Sequence, residues 1–256
     1  MVKSPRNLRS LVAVGLAIGL VAAACSSNSI PGGNGGLPAG NGGNGGNGGN
    51  ALASGLASNL DKLDSYQFSW QLTSNSSTAS SADTGSFGTS GIVVNKPTPA
   101  YKINDLGMLQ IVVVGNQGWT SFDNGSTWMV STDYTSSSDS LKSLLPTSLY
   151  GSDFDTNSTQ FSVKGDENKN GVDCIHYQGN SDLGAAGAIL GVNATFKADL
   201  WVAKNGNYPV SGFYGWSGSS GGESGSWGYS FDVTHVNDAS ANAVTAPTNV
   251  TALPSI

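Results

Sequence analysis

From Tyr66 onward, large apolar side chains fall on every second residue. Tyr66, Phe68, Trp70 and Leu72 alternate with Gln67, Ser69 and Gln71. A period of two places all four on one face of a strand and leaves the other face polar. Similar short runs follow at Gly85 to Val94, Ala100 to Asn104, Leu109 to Val114, Trp119 to Phe122 and Thr127 to Val130. More come at Thr159 to Lys164, Val172 to Gln178, Phe196 to Ala203, Tyr208 to Trp216 and Trp227 to Val236. Gly115-Asn116-Gln117-Gly118, Asn124-Gly125 and Asn205-Gly206-Asn207 punctuate them, and such residues supply the positive φ angles of tight hairpin turns. Strands joined by turns this short pair antiparallel, because a parallel crossover needs about a dozen residues or more. Ser217 to Ser226 reads as a Gly/Ser loop. The stretch from Asp238 is rich in Ala, Thr, Asn and Pro and reads as lying flat or fraying, with 248–256 a flexible tail.

Two segments change period. Leu52, Leu56, Leu60 and Leu63 are spaced four, four and three, which predicts a helix over 51–64. Leu141, Leu144, Leu145 and Leu149 predict a second over Ser138 to Leu149, kinked or ended at Pro146. Leu183 to Leu190 is compatible with a short third helix. Runs of meandering strands with a few helices indicate an α+β fold: a strongly curved antiparallel sheet whose concave face is covered by amphipathic helices. That face is either a filled core or a cavity. If it is open, Tyr66, Phe68, Trp70 and Phe231 are the candidate lining residues, since ligand pockets are largely apolar.

The first fifty residues belong to none of this. Lys3, Arg6 and Arg9 precede an uncharged apolar run from Leu11 to Ala24. That is the layout of a signal peptide over 1–24, too short for the roughly 20 residues of a spanning helix. The run ends Val21-Ala22-Ala23-Ala24-Cys25, which resembles the lipobox of bacterial lipoproteins, with Ala22 where Leu is commonest. The resemblance implies cleavage before Cys25 and its modification by palmitate-type acyl chains. An ordinary secretory cut would instead leave a free thiol. Residues 25–50 then form a Gly/Asn-rich linker with tandem Asn-Gly-Gly from Asn41, lacking apolar side chains to offset the entropy of ordering. Without residues 1–24 the chain keeps 8 Lys and no Arg against 17 acidic residues. That balance excludes a basic nucleic-acid footprint and any guanidinium fork for phosphate or carboxylate.

Chemistry-bearing motifs have plainer readings beside them. Ser121-Phe122-Asp123-Asn124-Gly125-Ser126-Thr127-Trp128 matches the Asp box at every fixed position. One copy is a hairpin device and not a propeller, which needs the motif blade after blade. Asp166-Glu167-Asn168-Lys169-Asn170-Gly171 matches the first half of an EF-hand loop, but position twelve is Tyr177 rather than a bidentate Glu. A polar hairpin turn is expected there, with weak calcium binding as the alternative. His176 and His235, each placed in a strand, form no zinc pattern; no G-x-S-x-G elbow sits between a strand and a helix, and Gly218-Ser219-Ser220-Gly221-Gly222 is loop composition. Cys174 is left without a disulfide partner if Cys25 is acylated, and reads as a small buried hydrophobe. No catalytic, metal or cofactor residues are expected.

Over Ala51 to about Pro247 the chain resembles the Lol lipoprotein carriers and the mycobacterial lipid-carrier lipoproteins, the LolA/LppX-like group. The stretches that carry this are Leu63-Asp64-Ser65-Tyr66, Gly171-Val172-Asp173-Cys174-Ile175-His176-Tyr177 and Leu200-Trp201-Val202-Ala203-Lys204-Asn205-Gly206-Asn207-Tyr208-Pro209. The resemblance implies a half-open β-barrel over 51–247 holding an acyl chain or other lipid. With it comes the expectation of a non-enzymatic, monomeric protein, anchored through Cys25 on the outer side of a membrane. The alternative is a solid-cored cell-surface domain for structure or interaction, with no small ligand.

Overall fold

The computed structural model describes residues 55–76, 85–149, 161–182, 192–220 and 223–251. Residues 1–54, with Cys25 and the linker, and the helix expected at Leu183 to Leu190 lie outside the described residues.

Among the described residues, twelve strands form one sheet. They are β1 (Ser65–Ser76), β2 (Gly85–Val94), β3 (Ala100–Asp105), β4 (Leu109–Val114), β5 (Gln117–Ser121), β6 (Trp128–Ser131), β7 (Phe161–Lys169), β8 (Val172–Asp182), β9 (Val192–Ala203), β10 (Pro209–Ser220), β11 (Glu223–Thr234) and β12 (Val250–Thr251). Their spatial order is β12-β6-β5-β4-β3-β2-β1-β11-β10-β9-β8-β7. Every neighbouring pair is consecutive in the chain except β1–β11 and β12–β6. Two meanders, β1 to β6 and β7 to β11, are therefore joined along one seam. Across it Phe68 faces Val233, Trp70 faces Phe231 and Leu72 faces Tyr229.

The open sheet is strongly curled. Asn170, at the tip of the β7–β8 hairpin, donates its amide to the Asp232 carboxylate at 3.0 Å and the Val233 carbonyl at 3.2 Å, both in β11. Strands β9 and β10 lie between β8 and β11 in the sheet, so only a bent sheet brings these groups together.

Register carries one apolar face across both meanders. Tyr66 continues into Val93, Tyr101 and Val113, and Phe68 into Gly91, Ile103 and Ile111. These side chains form one buried cluster with Leu60, Leu141 and Leu145. On the other side, Phe231, Tyr229, Tyr214, Ala198, Leu200 and Phe196 form a second with Leu56 and Ala57.

The expected helices shrink. Of the helix expected over 51–64, the described part from residue 55 holds a 3-10 helix, Ala57–Lys62, preceded by Gly55 at φ 78°. Ser58, Asn59 and Asp61 are weak helix formers that compete for backbone bonds, yet Leu56 and Leu60 are still buried. The second helix splits into single turns, Asp139–Lys142 and Pro146–Leu149. Ser138 caps the first through Leu141 N–H. Pro146 starts the second, a position where its missing N–H costs nothing. The fold is thus one large strand system with few short helices, more β than the α+β expectation.

Two other expectations change. The loop predicted over Ser217 to Ser226 is mostly strand, because β10 and β11 stay in register from Ser211–Asp232 to Ser220–Glu223. The segment after β11 is tied down: Asn242 donates to Ser65 Oγ (2.9 Å) and to the His235 carbonyl (2.6 Å), and Gln67 donates to the Ala241 carbonyl (3.0 Å). Within 248–256, Val250 and Thr251 pair in parallel with Trp128 and Met129, capping the β6 edge. The opposite edge, β7, carries Lys164, Asp166, Glu167 and Lys169 and a bulge at Val163/Gly165. Charges and bulges are common guards against edge-to-edge pairing.

Two cross-strand pairs set glycine against an aromatic ring. Phe68 faces Gly91 and Phe231 faces Gly212. A Cβ on Gly91 would lie 2.8 Å from the Phe68 ring, and one on Gly212 would fall inside the Phe231 ring's contact distance. Each ring occupies the space its glycine leaves, an arrangement that compensates for glycine's weakness within a strand. Gly212→Ala is expected to lower stability by about 1–3 kcal/mol, the usual cost of overpacking. Much of the loss should return when Phe231→Leu is added, measured as urea midpoints of the single and double variants.

Candidate functional site: the inner face of the sheet

The four candidate lining residues share one face but not one environment. Tyr66, Phe68 and Phe231 are 1%, 3% and 1% exposed. Burial pushes the Tyr66 phenol far above its ordinary range, with the Asp61 carboxylate adding to it. Phe68 and Phe231 reach sideways over Gly91 and Gly212. These three make a packed floor. Trp70 is only half-buried, its ring 6.2 Å from that of Tyr229.

Trp70 belongs to a set that the sequence pattern did not single out. Leu72, Tyr177 and Trp216 are likewise half-buried and pack against the second cluster. Behind them the aromatic rings interlock. Tyr214 stacks on Tyr229 at 5.2 Å and 10°, and Phe196 lies 4.8 Å from Trp216 and 5.9 Å from Tyr214. The buried rings form a packed aromatic floor, and the half-buried residues that flank it are partly accessible. Such a surface offers dispersion contacts and apolar burial to a ligand, with few charged groups to anchor one.

Sequence alternation alone shows which residues share a face. It cannot show that Phe68 and Phe231 lean over glycines, because that depends on which residue stands opposite in the neighbouring strand.

The reverse face carries a polar cluster. His176 Nδ1 is 2.9 Å from Glu167 Oε1, and its Nε2 is 2.9 Å from Asp199 Oδ1. The ring stacks on Trp201 at 4.3 Å and 14°, with the Lys169 ammonium 4.7 Å from the Trp201 ring centre. Trp201 Nε1 donates to Glu167 Oε2 at 2.7 Å, and Gln178 donates to Asp199 at 3.1 Å. The Trp201 and His176 hydrogen bonds hold the Glu167 carboxyl below its ordinary range. The cluster locks β7, β8 and β9 together across the sheet. His235 stands apart, just beyond β11 rather than in a strand, at φ 51° and 3.8 Å from Asp238.

The remaining motifs resolve into structure. In the Asp box, Asp123 accepts from Thr127 N (2.9 Å), Thr127 Oγ1 and Ser121 Oγ (2.8 Å). Ser121 Oγ in turn accepts from Gly125 N–H, and Trp128 Nε1 donates to the Gly125 carbonyl. Asn124 and Gly125 sit at φ 58° and 80°. In Asp166 to Gly171 the polar groups diverge. Asp166 pairs with Lys204 at 2.6 Å, Asn168 donates to Asp173, and Asn170 reaches β11. Asn170 and Gly171, at φ 54° and 81°, form a hairpin turn. Cys174 is fully buried, and desolvation pushes its thiol up. Among the described residues no group of three or more His, Cys, Asp or Glu is disposed to hold a metal ion. No helix among them is long and apolar enough to cross a membrane.

No protein-family model matches the chain, and no curated protein matches it. Among solved structures it is similar to the lipoprotein LppX of Mycobacterium tuberculosis. Identity is 13% over 75% of this chain and 94% of that one, with a TM-score of 0.33. It is similar to LprF of Mycobacterium bovis at 11% identity over 76% and 92% of the two chains, TM-score 0.38. A LolA superfamily protein of Nitrosomonas europaea matches at 10% identity over 69% and 91%, TM-score 0.22.

Asp123 gives a pH test. Its hydrogen bonds from Thr127 and Ser121 lower its pKa from 3.8 to about 2. A depressed folded pKa stabilises fully above the unfolded value, and that stability is lost as pH falls through the folded value. Melting temperature should therefore drop between pH 4 and pH 2. The Asp123→Asn variant should start lower at neutral pH and show a shallower drop across that window, measured by circular dichroism.

Proposed function

We propose that the chain is a lipoprotein anchored through acylated Cys25 on the outer side of a membrane, and that its sheet binds an acyl chain or similar lipid on the inner face. The observation that carries this reading is the half-buried apolar layer of Trp70, Leu72, Tyr177 and Trp216 above a closed aromatic floor. The floor residues Tyr66, Phe68 and Phe231 keep the sheet rigid and curved, and Trp70 with its three neighbours contacts the ligand. Supporting it from the sequence are the signal-peptide layout, the lipobox-like Ala22-Ala23-Ala24-Cys25 and the Gly/Asn-rich linker. Leu60 of the 3-10 helix, Leu141 of the turn Asp139–Lys142 and Leu145 just after it join the buried cluster of Tyr66 and Phe68. A second reading, a solid-cored surface domain without a ligand, draws on the near-complete burial of Tyr66, Phe68 and Phe231.

Native mass spectrometry of the mature chain carrying Cys25→Ser separates the two. Binding predicts adducts of lipid mass that extract into organic solvent. It also predicts uptake of a fluorescent fatty acid, weakened roughly tenfold, or about 1.4 kcal/mol, in the Trp70→Ala/Trp216→Ala variant. A bare mass after incubation with mixed bacterial lipids would instead support the solid-cored reading.

A further inference from the structure

Three large apolar side chains stand exposed on neighbouring hairpin tips at one end of the sheet. Leu106 and Met108, in the β3–β4 turn, are 42% and 68% exposed, and Phe122, opening the β5–β6 turn, is 67% exposed. Register places the two tips side by side. Gln110 pairs with Ser121, so the residues just beyond that pair, Leu109 and Met108 on one strand and Phe122 on the other, adjoin. Gln110 also donates to Asn124 within the second tip. Turns of this kind ordinarily carry Gly, Asn or Asp. Leu106 instead takes a left-handed φ of 53°, uncommon for a residue other than Gly, Asn or Asp. Single exposed hydrophobes need no explanation, whereas three on adjoining tips call for one.

The charge around the tips is specific. Neither Lys nor Arg occurs over residues 103–130. The two tip carboxylates are engaged internally, Asp105 by Thr89 Oγ1 at 2.7 Å and Asp123 by Ser121 and Thr127. We infer that Leu106, Met108 and Phe122 form a docking point for a lipid surface, entering the headgroup region as apolar points without electrostatic attraction.

A bilayer fits these tips because it accepts protruding side chains without a matching concave surface. On the membrane-anchored reading it is also at hand, with Cys25 about 30 residues before Gly55 in the chain. This inference rests on the membrane-anchored reading above. Docking would hold the sheet against the membrane in one orientation instead of leaving it to drift on its tether.

The test uses the full mature chain with Cys25→Ser, so that no acyl chain contributes, and unilamellar phosphatidylcholine vesicles without anionic lipid. Co-sedimentation should be seen at millimolar lipid and should change less than twofold between 0.1 and 0.5 M NaCl. The Met108→Asp/Phe122→Asp variant should bind at least tenfold more weakly. Met108→Trp should gain tryptophan quenching by brominated phosphatidylcholine. Failure of the Cys25→Ser chain to sediment, retention of binding in the double variant, or collapse of binding at high salt would each overturn the inference. Fatty-acid uptake measured without vesicles separates this from the ligand proposal. The docking inference expects the double variant to keep the uptake of its parent, and loss of uptake in that variant alone would count against a surface role.

Discussion

The pairing of β1 with β11 is the interaction on which the rest of this structure depends. Every other antiparallel contact in the sheet is a local hairpin, formed between strands adjacent in the chain. The seam joins residues 67–76 to residues 225–234, more than 140 positions apart. Closing so long a loop costs entropy that hairpins avoid, and the apolar pairs across the seam, Phe68–Val233, Trp70–Phe231 and Leu72–Tyr229, are what offset it. Without it the two meanders would each expose an apolar face and an unpaired edge. With it, those faces become one continuous inner surface.

The seam also explains how that surface is graded from packed to open. At one end Tyr66 and Phe68 meet Leu60, Leu141 and Leu145 from the short helical turns. In the middle Phe231 fills the notch of Gly212, so its ring leans along the sheet. Beyond it the strands run on as Leu72, Trp216 and Tyr177, half-buried and without those helical leucines in their cluster. The reverse face is held differently, by His176 between Glu167 and Asp199 with Trp201 beneath it. One face uses apolar contact and the other directed hydrogen bonds, and strands β8 and β9 contribute to both.

Much of this was legible in the residues. The period of two located the strands, and Asn-Gly pairs located the turns at Asn124-Gly125 and Gly206-Asn207, both in left-handed conformations. The Asp box was readable down to its bonds because all of its partners lie within eight residues. What was not legible depends on partners distant in sequence. Ser217 to Ser226 has loop composition, but neighbours on both sides keep it in the ladder. Leucine spacing at 51–64 marked Leu56 and Leu60 as buried, while the polar residues between and Gly55 leave one short 3-10 stretch in the described part of that segment. Half of the candidate site was similarly hidden. Alternation marked Tyr66, Phe68, Trp70 and Phe231 as equals, and only the register shows that Phe68 and Phe231 face glycines while Trp70 stays half-exposed.

In the proposed binding mode a lipid lies on the inner face, against the half-buried residues and not in the floor or on the reverse side. Photo-crosslinking with a diazirine-bearing fatty acid, followed by peptide mapping of the mature Cys25→Ser chain, tests this most directly. Binding there predicts adducts on Trp70 or Leu72 in β1, on Tyr177 in β8 and on Trp216 in β10. Adducts confined to the reverse face around His176 and Trp201, or none above background, would contradict it.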